Sequence, residues 1–276
     1  MSAMKPADYE AVLEATLAEL DVAADVPAIV CGMAGAAQGW KEAPYLDVPA
    51  DLAAIADRAM RVPSTGRDVR ILPGLAKRDV NAADVMRGEE TILLGAVREH
   101  ALSGIVCLPG THSKWVRLED AKVMDFATAM TGEIFALLAN QSTLSHFLPS
   151  KQGDYAADPA FASAVREALD NPQKALSLLF SVRAMPLLMG PSIAENMPAR
   201  LSGLLIGLEI AGMARACGTG ATLIAGGLLA RSYQAAFAAA NLECTILDSD
   251  ALARAGLLHA AKLIWPGLGS CEKTGD

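Results

Sequence analysis

The stretch "ATLIAGGLLARSYQAAFAAANLECTIL" (221 to 247) constrains the architecture more than any other part of the chain. Its first five residues read as a strand stopped by Gly226-Gly227. Tyr233 and Phe237 then fall one helical turn apart, and Leu242 to Leu247 form a second strand before Asp248 opens a closing helix. Strand, glycine turn, helix and strand in that order point to a mixed α/β protein whose strand ends carry glycine turns.

The rest of the chain repeats these elements. Tyr9, Val12, Leu13, Thr16, Leu17 and Leu20 recur at three- and four-residue steps and predict a first helix, with Pro6 suited to its first turn. Short strands are expected at 26 to 33, 69 to 72, 104 to 108, 113 to 118 and 121 to 126. Helices are expected at 51 to 61, from Gly88 or Glu89, and at 198 to 216. Two more should start at 159 and 172, where Asp158 and Asn171 each supply an N-cap followed by proline. The segment from the first strand to Pro49 reads as loop. No internal repeat or linker divides these elements.

Composition removes several functional classes. A chain of 276 residues with 53% hydrophobic residues can bury a large core. Its net charge of -8 leaves no broad basic surface for nucleic acid, so any anion must be held by a few local donors. Cys31, Cys107, Cys217, Cys244 and Cys271 are odd in number, widely spaced and lack a CxxC pair, which argues against a disulfide framework or structural zinc. They read as reduced cytoplasmic thiols. The opening "MSAMKPADYE" has no basic segment followed by an apolar one and predicts no secretory signal. The most apolar run, "LSGLLIGLEIAGMARAC" (201 to 217), carries Glu209 and Arg215 and reads as a core helix, not a membrane span.

Four stretches hold chemistry. In "CLPGTHSKWV" (107 to 116), a glycine turn at Gly110 offers backbone N–H groups to an anion. Thr111 and Ser113 offer hydroxyls, His112 an imidazole and Lys114 a compact charge. A polar hairpin corner explains the same residues. In "AGGLLARSY" (225 to 233), Gly226 and Gly227 would let backbone approach a ligand at a helix start, or simply pack a tight turn. In "MRGEET" (86 to 91), Arg87, Glu89 and Glu90 meet at a helix start, where a carboxylate could accept an alcohol proton, hold Mg2+ through water or act as a solvated cap. In "CGMAGAAQGWKEAPYLDVPA" (31 to 50), Gln38, Trp40, Lys41, Glu42 and Tyr45 combine amide, charge and aromatic surface suited to a polyol or sugar acid, with core packing as the other reading.

Taken together and in this order, these segments resemble the 2-dehydro-3-deoxygalactonokinase family of the sugar-kinase and actin-like ATPase superfamily. The resemblance is carried by "GMAGAAQGWKEAPYLDVPA", "ILPGL", "DVMRGEETILLGA", "CLPGTHSKWV", "FATAMTGEIFALL", "LSGLLIGLEIA" and "LIAGGLLARSYQAAF". It implies a two-domain α/β fold of the actin-like (ribonuclease H-like) type, with residues 1–85 as a partial sugar-binding domain and 86–276 as the nucleotide-binding domain. The closing helix is expected to pack back on the first.

The implied activity is ATP-dependent phosphorylation of 2-dehydro-3-deoxy-D-galactonate at its terminal hydroxyl, with Mg2+, in the cytoplasm, by a protein that binds neither nucleic acid nor membrane; whether it is a homo-oligomer stays open. The resemblance implies that Gly110, Thr111, His112 and Ser113 bind phosphate with Lys114 as a catalytic cation, and that Gly226 and Gly227 contact the nucleotide. Glu89 is implied as the base, with Glu90 or Asp84 as alternatives. Gly32, Gly35, Gln38, Trp40, Tyr45 and Arg87 are implied to face the sugar acid. The family's opening DWGT-type hairpin has no counterpart before "MSAMKPADYE", so the first phosphate loop is expected to be missing. Two further readings stay open: a catalytically inactive sugar-acid or nucleotide binder, and a kinase for a related keto-deoxy or aldonic acid.

Overall fold

The computed structural model describes residues 5–63, 66–149, 153–217 and 220–267, the side chains of 214–217 excepted. Cys271 and the Cys217 side chain therefore lie outside the described residues, while Cys31, Cys107 and Cys244 are free thiols. The chain forms two compact units, each assembled from separated segments. The first takes Met1–Ser103, Arg117–Phe126 and Ser249–Asp276, and the second takes Gly104–Val116 and Ala127–Asp248.

In the second unit, strands Glu243–Leu247, Gly220–Ile224 and Gly104–Leu108 lie side by side and run parallel. Strand Ser113–Glu119 borders Gly104–Leu108, and the two are joined by the turn that contains Gly110. Helices cover this sheet because its apolar residues otherwise face water. Cys107 and Leu223 on the strands pack with Trp115, Phe161, Ile206 and Phe237 in one core, and the Trp115 and Phe237 rings stack with centroids 5.8 Å apart. Helix Met197–Cys217 runs against helix Pro159–Asp170. A Cβ at Gly203 would lie 2.4 Å from the Phe161 carbonyl oxygen, so only glycine permits that approach.

In the first unit, Ala28–Val30 pairs in parallel with Val69–Ile71, which pairs antiparallel with Met60–Val62. A second small sheet joins Tyr45–Asp47, Gly74–Lys77 and Asp84–Met86. The long helix Glu89–His100 packs on the closing helix Ser249–Ile264. There a Cβ at Gly95 would come within 2.1 Å of the Leu252 carbonyl oxygen, and one at Gly256 within 1.9 Å of that of Thr91.

Several expectations change. Residues 51 to 61 are not one helix: Ala50–Asp51 is a strand, Ala54–Asp57 a single turn and Met60–Val62 a strand whose ladder partner is Val69–Ile71. The "loop" to Pro49 includes the strand Tyr45–Asp47, which needs the distant Gly74–Lys77 to form. Asp158 caps its helix by accepting from the Ala160 N–H at 2.8 Å. Asn171 makes no such side-chain cap, and a 3-10 turn at Pro172–Lys174 precedes helix Ala175–Met189. Helix Glu89–His100 and helix Ser249–Ile264, which pack on each other, fall in the same compact unit.

Candidate functional site

Two groups of the expected residues come together, one in each unit. In the first unit, strand Ala28–Val30 ends in a 3-10 turn at Gly32–Gly35, with Gly32 at φ +75°. Gly88, at φ +110°, precedes helix Glu89–His100 as its N-cap residue. A Cβ at Gly88 would sit 3.4 Å from the Gly32 Cα, so the two turns touch through glycine backbone.

The two glutamates at this helix start behave differently. Glu90 is wholly buried. The Gly88 N–H donates to both of its carboxylate oxygens, at 2.9 and 2.7 Å, and the Thr91 hydroxyl donates to one at 3.1 Å. Burial pushes the Glu90 carboxyl up to about 8; the Glu89 charge also raises it, and these hydrogen bonds only partly oppose the rise. Glu89 is half-buried and accepts the Arg87 backbone N–H at 3.1 Å. Burial, reinforced by the Glu90 charge, raises the neighbouring Cys31 thiol as well. Asp84 stands apart in strand Asp84–Met86, opposite Lys77 in the ladder.

Arg87 links this helix start to the expected substrate loop. Its Nη2 donates to the Ala43 carbonyl at 2.9 Å, and its guanidinium carbon lies 4.2 Å from the centre of the Tyr45 ring. Its Nε and Nη1 are buried and have no hydrogen-bond partner. A Cβ at Gly35 would reach within 2.8 Å of Nη1, so glycine leaves room for the guanidinium. Trp40 stacks on Tyr9 with centroids 5.9 Å apart, which makes it part of the unit's packing, while Gln38, Lys41 and Glu42 are exposed.

In the second unit, the turn after Gly104–Leu108 docks on the start of helix Thr131–Gln141. A Cβ at Gly132 would lie 2.5 Å from the Gly110 carbonyl oxygen, and the Glu133 N–H donates to the Thr111 carbonyl at 3.0 Å. Thr111 is exposed, and His112 Nε2 lies 2.5 Å from Glu133 Oε2. Lys114 is buried, and its Nζ donates to the His112 carbonyl at 2.8 Å, which braces the turn from behind.

Ser113 turns inward. It is fully buried, and its hydroxyl lies 2.8 Å from the Tyr233 hydroxyl. In this structure its hydroxyl faces the scaffold behind the turn.

That scaffold centres on Glu209, which sequence reasoning used only as an argument against a membrane span. The Glu209 carboxylate accepts the Trp115 Nε1–H at 2.8 Å, the Tyr233 hydroxyl at 2.7 Å and the Thr131 hydroxyl. Burial raises Glu209 and these donors oppose the rise; burial and the Glu209 charge together raise the Tyr233 phenol. A lone carboxylate in the apolar run 201 to 217 was the available signal.

Next to this scaffold lies a cavity of about 420 Å³. Gly110, Thr131 and Gly132 line it on the turn side. Leu228, Leu229, Ser232 and Tyr233 come from helix Gly227–Ala239, and Phe135, Gly153, Tyr155, Ser202, Leu205 and Ile206 complete the lining. Gly226 is the extended N-cap and Gly227 has φ +58°, so the expected glycine turn opens the helix that forms one wall. The mostly apolar lining, with hydroxyls and glycine backbone at its edge, suits a flat ring carrying a polar tail.

An α/β chain with mixed sheets, a glycine-turned ligand cavity and a buried acidic helix start falls among enzymes that act on small molecules. A sequence model of the 2-keto-3-deoxy-galactonokinase family matches residues 1–260, and the chain belongs to that family. It is 49% identical over 261 residues to a Rhizobium meliloti (strain 1021) protein named "Probable 2-dehydro-3-deoxygalactonokinase DgoK1", covering 94% of this chain and 85% of the relative. It is 40% identical over 240 residues to the 2-dehydro-3-deoxygalactonokinase of Escherichia coli (strain K12), covering 86% and 79%. The crystal structure of a Sinorhizobium meliloti protein named for the same kinase superposes with a TM-score of 0.89 at 49% identity, covering 94% of this chain and 84% of the other.

Proposed function

We propose that the protein transfers the γ-phosphate of ATP to the terminal hydroxyl of 2-dehydro-3-deoxy-D-galactonate, on an α/β fold of the actin-like ATPase type. The names of its relatives support the reaction. The structural observation that carries the acid specificity is Arg87, whose buried Nε and Nη1 still lack acceptors. A substrate carboxylate would accept from one of them with the full guanidinium charge behind the bond; Nε and Nη1 lie on different edges of the group, and Nη2, the arm common to either fork, is taken by the Ala43 carbonyl.

In this reading the first unit binds the sugar acid through Gly32, Gly35, Tyr45 and Arg87. Glu89 takes the hydroxyl proton. Glu90, raised to about 8, holds its own proton near neutrality and so spares the helix start a second adjacent anion. The second unit binds ATP in its cavity, with the base between Leu228, Leu229 and Tyr155 and the phosphates toward Gly110, Thr111 and the Gly226-Gly227 turn. Lys114 contributes positive charge behind that turn while holding the His112 carbonyl.

Among the described residues, no three His, Cys, Asp or Glu side chains gather as a metal site. Mg2+ would be supplied with the nucleotide and offset phosphate charge, and no residue here is assigned to it. Among the described residues no helix is long and apolar enough to cross a membrane.

The decisive experiment is a coupled assay of ADP release with 2-dehydro-3-deoxygalactonate and with related aldonic and keto-deoxy acids. Turnover should require the 2-keto-3-deoxy acid. Equal or better turnover of another acid, or none with any, refutes the assignment.

A further inference from the structure

Glu209 lies behind the cavity lining, to which its donors Thr131 and Tyr233 belong, and has no role in the reaction described above. Its three donors come from three different elements. Trp115 belongs to the strand that follows the phosphate-side turn, Thr131 heads helix Thr131–Gln141, and Tyr233 stands on helix Gly227–Ala239, the opposite wall of the cavity. Each donates to the same buried carboxylate, so one group ties both walls of the cavity to helix Met197–Cys217.

The tie reaches the turn itself. Thr131 precedes Gly132, where a Cβ would fall 2.5 Å from the Gly110 carbonyl oxygen and 2.8 Å from the Thr111 Cα. Ser113, on the other side of the turn, is held by Tyr233 at 2.8 Å. With backbone packed so closely, a displacement of Thr131 or Tyr233 passes directly to Gly110 and Thr111.

We infer that Glu209 is a positioning residue for phosphoryl transfer, fixing the turn at Gly110–Thr111 relative to the helix Gly227–Ala239 that walls the nucleotide cavity. This rests on the kinase reading above. Phosphoryl transfer depends mainly on positioning and charge stabilisation, and a displacement of about 1 Å can cost about a hundredfold in rate. Nucleotide affinity, by contrast, comes mostly from the apolar lining, which Glu209 does not form.

The test compares the full-length wild type with Glu209→Leu and Glu209→Gln. Leucine removes the acceptor that three buried donors share, and only Tyr233 retains another, the Ser113 hydroxyl. Glutamine keeps an acceptor for Trp115 and places an amide against two hydroxyls that can rotate to receive it. The measurements are kcat with the sugar acid, KM for ATP, the Kd of a non-hydrolysable ATP analogue, and circular dichroism for folding.

Glu209→Leu should lower kcat by about 30- to 100-fold while the analogue Kd changes less than about threefold, and Glu209→Gln should recover part of the loss. A kcat within about threefold of wild type in the leucine variant overturns the inference, as does an analogue Kd that rises by the factor kcat falls. Should Glu209→Leu fail to fold, Glu209→Gln decides, with a fall of about tenfold in kcat at unchanged Kd as the supporting result and an unchanged kcat as the refuting one. A wild type without turnover overturns the kinase reading and this inference with it, whereas an active wild type with unimpaired variants overturns this inference alone.

Discussion

Replacing Glu90 by glutamine should change how stability depends on pH. Glu90 carries a folded-state carboxyl raised to about 8 from an ordinary 4.5, because burial disfavours its charged form. The folded protein therefore holds this proton more tightly than the unfolded chain. Stability falls as pH rises from 4.5 toward 8 and levels off above that. Each pH unit in that window costs about 1.4 kcal/mol, so between pH 5.5 and 7.5 this group alone removes about 2–3 kcal/mol. Glutamine resembles the protonated acid in shape and can still accept the Gly88 N–H, but it does not titrate. In urea unfolding at a series of pH values, the wild type should lose about 2–3 kcal/mol relative to Glu90→Gln over that range. A difference that stays constant with pH would show that Glu90 is ionised in the folded protein and that burial does not govern its protonation.

Two other perturbations bear on the same framework. Arg87→Ala should lower kcat/KM for the sugar acid by roughly ten- to a hundredfold through loss of charge-assisted hydrogen bonds, with the ATP-analogue Kd unchanged; an equal loss with an uncharged acceptor would remove Arg87 from acid recognition. Gly256→Ala places a methyl 1.9 Å from the Thr91 carbonyl oxygen and should destabilise by about 1–3 kcal/mol, seen as a Tm lower by several degrees; an unchanged Tm would mean that the helices separate freely.

Local signals carried much of the fold. The strands at 104 to 108 and 220 to 224, the helix at 227 to 239 and the Asp158 cap rest on short-range pattern and capping chemistry, and they form close to where the sequence puts them. Residues 45 to 62 were misjudged because their strands depend on partners brought from elsewhere in the chain, so apolar periodicity has little to report. The site was legible in the same uneven way. Glycine turns and charged clusters marked both groups, but the inward turn of Ser113 depends on Tyr233, 120 positions away. Glu209 lay in plain sight as an acid in an apolar run, yet its three donors are scattered from Trp115 to Tyr233 and only the fold assembles them.

The interleaving of the two units bears on synthesis. The chain passes between them at 103/104, 116/117, 126/127 and 248/249, and the last passage delivers the helix whose Gly256 meets Thr91. A ribosome that has made the first hundred residues has therefore not yet made the surface on which helix Glu89–His100 rests. That helix must wait, with its Thr91 and Gly95 face uncovered, until the second unit has been translated. The second unit contains all its own segments by Asp248 and can close while the first is still open. In the cell the unit that begins first should finish last, and its waiting helix is where a chaperone would find its longest opportunity.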